Sequence, residues 1–449
     1  MKYDIEIPIP RKVQFILDKL HEHNYQAFIV GGCVRDSILG KVPEDWDIAT
    51  DALPGEVKEL FQKTADTGIR HGTVTVIIER SLFEVTTYRI DGEYADFRKP
   101  KAVTFTSSIE EDLSRRDFTI NAIAYSPEAG IVDPFGGVAD IRKGIIRTVG
   151  DPERRFSEDA LRMLRAVRFS AQLGFSVDEK TLKSIEINSS LIGCISSQRI
   201  RDELTKILLS DNPLCFSLLK DTKLIKYTLP EFEPCFITNQ NNPYHSYNVA
   251  EHTLRSVAHV EKDKILRWAM LLHDIGKPGT KTTDSKGIDH FYNHQQLSVK
   301  LSGTAMSRLR FDKKSMDKIL LLVRCHDMHI KADAKSVRKA MSRVGDDMFE
   351  SLLKVIEADK KAQNPGLLKE RTGKFIKIWE LYKDIKEKGQ CTSLKSLAVN
   401  GDDLIALGIK PGKKIKELLN SLLEKVIEEP ELNKKEILLS LISQHHRAE

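Results

Sequence analysis

Residues 30–49 have the sequence VGGCVRDSILGKVPEDWDIA, and the fold predicted for the chain depends on this stretch. The apolar run Ala27–Val30 leads into it and predicts a buried strand. Gly31 and Gly32 then predict a tight turn, because glycine lets a ligand approach the backbone closely. Residues 34–39 predict a helix whose free N-terminal N–H groups would face an anion. The stretch therefore predicts a phosphate-binding turn between a strand and a helix.

Charged side chains flank this turn. Arg35 adds a positive group of fixed geometry beside the helix N-terminus. Asp45 and Asp47 lie in a second predicted strand over residues 45–49, and residues two apart on a strand face the same side. Two carboxylates beside a phosphate site suit Mg²⁺ bound together with a nucleoside triphosphate. A Gly-Gly turn or an Asp-x-Asp is common by itself, so the prediction rests on their combination.

The composition limits the class of protein. At 449 residues the chain is long enough for about three domains. A net charge of +5 is compatible with RNA binding, although lysine-rich solvated surfaces give the same total. The six cysteines form no Cys-x-x-Cys pair, which favours free thiols in a reducing compartment. We find neither an apolar run of about 18 residues nor a secretory signal, so we expect a soluble, cytoplasmic protein.

Strand patterns continue beyond the first stretch. Two segments rich in β-branched residues, 73–78 and 82–88, predict strands. Glu84 lies in the second segment and is either a third carboxylate of the metal site or an ordinary surface residue. Residues 89–105 are rich in glycine, charge and aromatic rings, which predicts an exposed mobile loop.

Two shorter polar strings follow. RRDFTINA, at residues 115–122, contains adjacent arginines that suit phosphates, and Arg116 is the one we assign to nucleotide binding. SSQRIRDEL, at residues 196–204, predicts a helix start capped by serine. We assign this second string a structural role, in support of the cationic helix described next.

A cationic helix is predicted over residues 156–173, with the central string EDALRMLRAVRF. Asp159 and Arg162 are three residues apart and share a face. Arg162, Arg165 and Arg168 repeat that spacing and form a ridge opposite apolar side chains. The alternative is a solvated helix with salt bridges between its own turns, which is the commoner explanation of a run of charges.

Histidines concentrate after residue 241, and a lone buried histidine is more often structural than a ligand. The histidines and aspartates of this region include His252, His273, Asp274, His294, His326 and Asp359. Imidazole and carboxylate ligands suit a divalent transition metal, which can activate water against a phosphoester. The alternative is a scaffold that has lost its metal and only supports RNA binding.

The C-terminal region is helical in pattern and rich in lysine. Residues 407–415, LGIKPGKKI, join two amphipathic helices. A glycine-containing turn at a helix N-terminus with flanking lysines can bind an RNA phosphate. A simple connector between helices explains the same residues equally well.

Together these strings resemble the nucleotidyltransferases of the polymerase-beta superfamily. GGCVRDSILGKVPEDWDIAT, RRDFTINA and EDALRMLRAVRF are similar to motifs of class II bacterial tRNA nucleotidyltransferases (CCA-adding enzymes) and bacterial poly(A) polymerases. The order His252, His273-Asp274, Asp359 resembles the HD family of metal-dependent phosphohydrolases. This resemblance implies that these four residues are metal ligands and that His294 and His326 extend the set. The resemblance covers most of the chain and is strongest over residues 27–205, although Gln198 replaces a glutamate that is usual in the family.

The resemblance implies an α+β fold. A polymerase-beta-like nucleotidyltransferase head, with a mixed sheet and helices, would be followed by an all-α neck, body and HD domain. The predicted regions are the head at 1–149 with its loop at 89–105, an RNA-binding neck and body at 150–242, the HD domain at 243–370 and a tRNA-binding helical tail at 371–449.

The resemblance also implies roles for the matching residues. Asp45, Asp47 and Glu84 would be catalytic, and the first two would bind Mg²⁺. The residues expected to bind the nucleotide are Gly31, Gly32, Arg35, Arg116, Asp159, Arg162, Arg165 and Arg168. In similar enzymes the aspartate and first arginine of the cationic helix recognise the base, and the later arginines hold the triphosphate. The loop at 89–105 is associated with addition of the final A.

Base recognition by Asp159 and Arg162 has a physical reason. The Watson–Crick edges of ATP and CTP both present an amino donor beside a ring-nitrogen acceptor, which complements a carboxylate and a guanidinium. UTP and GTP reverse both polarities, and an unpaired buried polar group costs about 1–3 kcal/mol. One Asp–Arg pair can therefore select C and A without a nucleic-acid template.

The activity that the resemblance implies is addition of CMP and AMP (CCA) to the 3′ end of tRNA, without a template and with release of pyrophosphate. The expected partners are the tRNA acceptor stem and elbow, CTP and ATP, with Mg²⁺ in the head and a divalent transition metal in the HD domain. Three alternatives stay open: an enzyme that adds only A, a poly(A) polymerase, and an HD phosphohydrolase whose head only binds RNA. The sequence also leaves open whether the protein is a monomer or a homodimer.

Overall fold

The computed structural model describes residues 5–92, 94–95, 99–100, 102–243, 246–363 and 368–446. The chain divides into two compact units, Met1–Pro230 and Glu231–Glu449. The first unit combines a mixed sheet with helices, and the second is almost entirely helical. This is the predicted α+β fold, whereas the finer division into four regions stays a prediction.

The strands of the first unit are short and lie mostly before residue 133. They are β1 (Ala27–Val30), β2 (Ile48–Thr50), β3 (Thr64–Gly68), β4 (Thr73–Ile78), β5 (Ser81–Thr87), β6 (Arg89–Asp91), β7 (Tyr94–Ala95), β8 (Lys99–Pro100), β9 (Val103–Phe105), β10 (Ala124–Ser126), β11 (Gly130–Val132), β12 (Ile145–Ile146) and β13 (Ser176–Val177). Seven of them form the main sheet in the order β11-β10-β1-β2-β5-β4-β3. Strands β2 and β5 are parallel, and Ile48 pairs with Val85, which places Glu84 next to the start of β2. The predicted loop at 89–105 is described only in part, and its two ends pair as β6 and β9.

The second strand is shorter than the sequence predicted. β2 begins at Ile48, so Asp45 and Asp47 precede the strand and do not lie within it. The antiparallel ladder with β1 reaches Ile48, and the Val30 N–H donates to the Asp47 carbonyl just before it, at 3.0 Å. β1 ends there because Gly31 turns the chain with a φ of 78°. The earlier residues of the predicted strand therefore have no partner strand to pair with.

The helices of the first unit surround the sheet and continue beyond it. They are α1 (Arg11–Glu22), α2 (Gly32–Ile38), α3 (Pro54–Leu60), α4 (Ile109–Ser114), α5 (Gly137–Lys143), α6 (Pro152–Glu158), α7 (Leu161–Leu173), α8 (Glu179–Asn188), α9 (Ser197–Leu208), α10 (Leu218–Asp221) and α11 (Ile225–Thr228). One buried cluster packs Val30, Ala49 and Tyr88 of the sheet region against Leu113 of α4. This packing holds the end of β1, after which the glycine turn begins.

The predicted cationic helix is two helices, α6 and α7. The chain leaves the helical conformation at Asp159, with φ −138° and ψ 103°. The Asp159 carboxylate accepts a hydrogen bond from the Leu161 N–H at 3.0 Å. Aspartate competes with helix continuation in this way, because its side chain offers a local acceptor to the backbone. The interruption therefore separates Asp159 from the helix that carries Arg162, Arg165 and Arg168.

The second unit contains the remaining elements. They are α12 (Val249–His259), α13 (Lys264–Leu272), α14 (Lys277–Thr280), β14 (Thr282–Thr283), β15 (Asp289–His290), α15 (His294–Arg308), α16 (Lys313–Cys325), α17 (Ala334–Val344), α18 (Phe349–Lys361), α19 (Leu368–Glu387), α20 (Gly401–Ala406), α21 (Lys413–Glu428) and α22 (Lys435–His446). A C-terminal core buries Leu404, Val426 and Leu438. The turn at 407–415 joins α20 to α21, as the sequence predicted.

Two predictions about the whole chain can be compared with the structure. All six cysteines have free thiols. Within the described part of the chain, every helix is too short or too polar to cross a bilayer.

Candidate functional site

The glycine turn lies directly against an arginine of the RRDFTINA string. Gly31 has a φ of 78°, which side chains with a Cβ rarely adopt. A Cβ at this position would also lie only 2.7 Å from Nη1 of Arg116. The Gly31 N–H donates to the Ile123 carbonyl at 3.0 Å, which fixes the turn against the chain that follows Arg116. Backbone and guanidinium therefore meet where the sequence predicted a phosphate site.

One cavity of about 650 Å³ brings together most of the residues predicted for the head. Its lining combines the glycine turn, two carboxylates before β2, the RRDFTINA string, α7 and α9. The lining residues are Gly31, Gly32, Arg35, Asp45, Asp47, Arg115, Arg116, Asp117, Asn121, Asp159, Arg162, Arg165, Arg168, Phe169 and Arg199. Glu84, the remaining predicted head residue, is exposed on β5 and lies outside this lining.

The carboxylates of Asp45 and Asp47 have room for a cation. Among the described residues, neither side chain accepts a hydrogen bond or forms an ion pair. Burial raises the pKa of Asp47, Arg116 opposes this shift, and the charge of Asp45 adds to it. Partial burial and the charges of Asp47 and Asp45 also raise the pKa of Glu84. Three carboxylates that repel one another fit a divalent cation, because its charge would relieve the repulsion.

The arginines of α7 are not a solvated ridge. Arg162 and Arg168 are only 8% and 9% exposed. Nη1 of Arg162 lies 2.7 Å from Oε2 of Glu158, and Nε of Arg168 lies 2.6 Å from Oε2 of Glu203 on α9. Arg162 also donates to two backbone carbonyls, those of Arg155 at 3.2 Å and Arg115 at 3.0 Å. Partners from other segments therefore fix these guanidinium groups at the cavity wall.

A hydrogen-bond chain links the glycine turn to α7. Nη1 of Arg35 donates to Oδ1 of Asn121 at 2.6 Å, and Nδ2 of Asn121 donates to Oδ1 of Asp117 at 3.2 Å. The other carboxylate oxygen of Asp117 pairs with Arg165. Burial alone would raise the pKa of Asp117, but the charges of Arg165 and Arg162 outweigh it and lower the pKa to about 2.

An aromatic ring stabilises the cationic wall. The guanidinium carbons of Arg168, Arg35 and Arg165 lie 4.1, 5.3 and 5.4 Å from the centroid of the Phe169 ring. An aromatic face attracts cations within about 6 Å. Phe169 therefore offsets part of the repulsion between arginines that converge on one cavity.

Sequence reasoning missed several residues that build this cavity. Asn121, Phe169 and Arg199 line it, and Glu203 pairs with Arg168 of its lining. Asn121 and Phe169 lie inside strings that were already assigned to the site. Arg199 and Glu203 lie in SSQRIRDEL, and their spacing of four residues with opposite charges was a signal for two ion pairs on one face of a helix.

The four predicted ligands of the second constellation lie together in the second unit. Ligand atoms of His252, His273, Asp274 and Asp359 are all within 4.8 Å of one another. Nε2 of His252 lies 2.9 Å from Oδ1 of Asp359, and Nε2 of His273 lies 3.1 Å from Oδ2 of Asp274. Helices α12, α13 and α18 position them, since His252 and Asp359 lie in α12 and α18 and the His-Asp pair follows α13. The donor set fits a divalent transition metal.

A second ligand group shares Asp274. Asp274, His294 and His326 also place ligand atoms within 4.8 Å of one another. Oδ1 of Asp274 lies 3.3 Å from Nε2 of His294 and 3.6 Å from Nε2 of His326. Oδ2 instead lies 2.7 Å from Nζ of Lys277. Burial alone would raise the pKa of Asp274, but the charges of His273 and Lys277 hold it well below its usual range.

Three family models match successive parts of the chain. The "Poly A polymerase head domain" matches residues 27–147, and the "Probable RNA and SrmB- binding site of polymerase A" matches residues 174–236. A third model, "tRNA nucleotidyltransferase domain 2", matches residues 291–442. Its range overlaps the predicted HD domain, so the assignment of residues 243–370 to the HD family stays a prediction.

Curated relatives that match this chain include CCA-adding enzymes. The one from Ligilactobacillus salivarius (strain UCC118) is 35% identical over 437 residues, which cover 96% of this chain and 95% of that protein. The one from Pediococcus pentosaceus is 52% identical over 198 residues, or 44% of this chain, and that match spans only 50% of the relative's own length.

The fold also matches a solved structure over nearly its full length. The CCA-adding enzyme of Bacillus stearothermophilus in complex with CTP aligns with a TM-score of 0.70 and 30% identity, covering 98% of this chain and 99% of that one. With the full-length relative from Ligilactobacillus salivarius, this similarity decides the classification. The chain belongs to the family of CCA-adding enzymes, which are tRNA nucleotidyltransferases.

Proposed function

We propose that this chain transfers CMP and AMP from CTP and ATP to the 3′ end of tRNA, completing CCA without a template and releasing pyrophosphate. One observation carries the proposal: Asp45 and Asp47 line the same cavity as the buried arginines of α7. Carboxylates that can hold a cation and guanidinium groups that can hold a triphosphate are the two requirements of nucleotidyl transfer.

The nucleotidyltransferase family uses divalent cations, and we assign Mg²⁺ to Asp45 and Asp47, with Glu84 nearby on β5. When bound there, Mg²⁺ supplies charge that lowers the pKa of the terminal 3′-OH of tRNA and neutralises the leaving pyrophosphate. The residues themselves position the reactants. The carboxylates lie next to the glycine turn, so an α-phosphate held at that turn would lie beside them.

The nucleotide is held from two sides of the cavity. We assign the triphosphate to Gly31, Gly32, Arg35 and Arg116 on the sheet side and to Arg165 and Arg168 on α7. The ion pairs of Arg165 and Arg168 keep both guanidinium groups in place before a ligand arrives. Such preorganised donors cost little reorganisation when charge develops on the phosphates.

Asp159 and Arg162 are assigned to the base. Three of the five N–H donors of Arg162 are used by Glu158 and two backbone carbonyls, which leaves donors for a ring-nitrogen acceptor. Asp159 lies at the interruption between α6 and α7 and lines the cavity. Its carboxylate therefore does not project from the face of a regular helix. A carboxylate and a guanidinium on one wall complement the amino group and ring nitrogen that C and A share.

The tRNA contacts are assigned to the helical remainder of the chain. Lys410, Lys413 and Lys414 are exposed around the turn between α20 and α21. Exposed lysines at a helix N-terminus favour an RNA phosphate. The solved structures of related fold include a Thermotoga maritima CCA-adding enzyme complexed with tRNA_CCA, at 21% identity, which supports the fold alone.

The test of this site is incorporation of labelled CMP by wild type and by an Asp47→Ala variant, with tRNA that lacks its 3′ CCA. Loss of incorporation with retained tRNA binding supports the assignment. Normal incorporation by the variant overturns it.

We also propose a second activity, metal-dependent phosphoester hydrolysis at the His–Asp cluster of the second unit. The observation in its favour is that two ligand groups share the buried Asp274, and that a cavity of about 450 Å³ reaches Asp274, His294, His326 and Asp359. A bound transition metal there would supply an activated water. Lys277 lines the same cavity, and its positive charge would neutralise a phosphate oxygen of the substrate. The test is whether His273→Ala abolishes hydrolysis of a phosphodiester and spares CMP addition.

A further inference from the structure

A guanidinium from α9 reaches the residue that we assign to base recognition. Nη2 of Arg199 donates to Oδ2 of Asp159 at 3.1 Å. The other carboxylate oxygen of Asp159 accepts the Leu161 N–H at 3.0 Å. Both oxygens of Asp159 therefore have a partner that fixes the plane of the carboxylate.

The Asp159 carboxylate would be poorly fixed without Arg199. The residue lies at the interruption between α6 and α7, where no regular helix holds it. Among the described residues, the other hydrogen bond of this carboxylate is local, from a backbone group two residues along the chain. A side chain held by one local contact keeps rotational freedom, and a freely rotating carboxylate can satisfy more than one base edge.

Arg199 itself is held at a defined position. On the next turn of α9, Glu203 pairs with Arg168 at 2.6 Å, and both side chains are at least 89% buried. The Arg168–Glu203 ion pair holds α9 against α7, and Glu203 lies on the same face of α9 as Arg199. Because α9 is held in this way, the distance between Arg199 and Asp159 is fixed. The Arg199–Asp159 pair is therefore better ordered than an ion pair on the surface.

One nitrogen of the Arg199 guanidinium is left without an acceptor by the described residues. This nitrogen is Nη1, and it is buried. A buried donor without an acceptor costs free energy unless a ligand or water provides one. Arg199 also lines the nucleotide cavity, so the Arg199–Asp159 pair lies at the nucleotide site and is not a remote structural ion pair.

We propose that Arg199 is a positioning residue for nucleotide selection: it orients the Asp159 carboxylate toward the amino group that cytosine and adenine share. The proposal rests on the proposed function, in which Asp159 recognises the base. A correctly oriented carboxylate accepts from the amino group of C or A and meets the carbonyl of U or G with the wrong polarity. Arg199 thereby contributes to specificity through Asp159.

The test compares kcat/KM for CTP and UTP in Arg199→Ala, Arg199→Lys, Asp159→Ala and the double variant, with Arg201→Ala as the control. Arg201 lies on the same helix, donates to its neighbour Asp202 at 2.8 Å and does not line the cavity. Arg199→Ala is expected to lower the CTP/UTP ratio by about 3- to 10-fold, the value of one hydrogen bond. Arg199→Lys should lower it less, because lysine keeps the charge but not the planar geometry. Arg201→Ala should leave the ratio unchanged.

The double variant separates this role from a structural one. If Arg199 acts through Asp159, adding Arg199→Ala to Asp159→Ala changes the ratio no further. An unchanged ratio in Arg199→Ala, an equal loss of rate for every nucleotide, or additive effects in the double variant would overturn the proposal. If Arg199→Ala does not fold, the same comparison is made with Arg199→Lys alone and in combination with Asp159→Ala. A ratio that Asp159→Ala itself leaves unchanged refutes base recognition by Asp159, which is a failure of the proposed function.

Discussion

Arg165 and Asp117 form an ion pair between two strings that lie 48 residues apart in the sequence. Nε and Nη2 of Arg165 lie 2.7 and 2.5 Å from Oδ2 of Asp117. Oδ1 of Asp117 accepts the Phe118 N–H at 2.8 Å and the Asn121 amide at 3.2 Å. The pair therefore joins α7 to the RRDFTINA string at the wall of the nucleotide cavity.

The first prediction concerns acid stability. The pKa of Asp117 is about 2 in the folded chain, where Arg165 and Arg162 outweigh the effect of burial, against an ordinary value of 3.8 for an aspartate. A depressed folded pKa stabilises the native state above the unfolded pKa, and the contribution is lost as the pH falls from about 4 to about 2. The shift corresponds to about 2 kcal/mol, of which about 1 kcal/mol is lost by pH 3.

An Asp117→Asn variant, which has no carboxylate to titrate, is the comparison. We expect the difference in free energy of unfolding between wild type and variant, measured by urea denaturation, to shrink by about 1 kcal/mol between pH 5 and pH 3. A difference that stays constant over this range would contradict the assigned ion pair.

The second prediction separates base recognition from phosphate binding. We expect Arg162→Ala to lower the kcat/KM ratio of CTP over UTP by about tenfold, because it removes a mismatch penalty that exceeds one matched hydrogen bond. Arg165→Ala should instead lower incorporation of all nucleotides by a similar factor, since triphosphate oxygens carry no base identity. Steady-state kinetics with CTP, ATP and UTP measure both effects, and thermal unfolding checks that each variant is folded. An unchanged CTP/UTP ratio in Arg162→Ala would assign this residue to phosphate binding only.

The third prediction concerns the carboxylates of the head. Asp45→Ala and Asp47→Ala should each lower CMP incorporation by more than about 100-fold, since even outer partners of metal ligands cost 10- to 100-fold when removed. Binding of tRNA, measured by filter retention, should change little, because the assigned RNA contacts lie elsewhere. Glu84→Ala should have a smaller effect, because Glu84 is exposed and lies outside the cavity lining. Near-normal incorporation by both aspartate variants would remove the assigned metal site.

The fourth prediction concerns metal content. After equilibration with Mn²⁺, wild type should retain two more equivalents per chain than Asp274→Asn, because both ligand groups share this carboxylate. His259→Ala is the matched control, since His259 is exposed on the same helix as His252 and lies outside both groups. Elemental analysis after gel filtration gives the number of metal ions bound per chain. Equal metal content in wild type and Asp274→Asn would contradict the prediction and indicate that the cluster is a scaffold without metal.

Local patterns predicted the parts of the head that depend on neighbouring residues. The predicted strand Ala27–Val30 is confirmed, and all four of its residues are buried. The pattern sufficed because an apolar run of four residues that ends at a Gly-Gly turn is compatible with few other structures. The predicted strands at 73–78 and 82–88 correspond to β4 and β5, where β-branched residues pair across the ladder. The family resemblance is confirmed by relatives that match nearly the full chain.

Predictions failed where the outcome depended on tertiary partners or on a local contact of a side chain with the backbone. The pattern at 45–49 predicted a longer strand than forms, since it does not contain the information that β1 ends at Gly31. The interruption at Asp159 was missed because its cause is a local hydrogen bond that competes with an otherwise helical sequence. Arg199 could not be placed at the cavity, because its partner Asp159 is 40 residues away in the sequence.

We propose that one cavity adds C, C and A in order, with no template. The most direct measurement incubates the protein with three forms of one tRNA, ending at the discriminator base, at –C and at –CC, with each nucleotide alone and with CTP plus ATP, and then sequences the 3′ ends. We predict that CTP alone extends the first two forms to –CC and stops there, that ATP alone adds a single A only to the –CC form, and that both together give –CCA on all three. Addition of A alone with no use of CTP, or of a run of A residues, would contradict the claim.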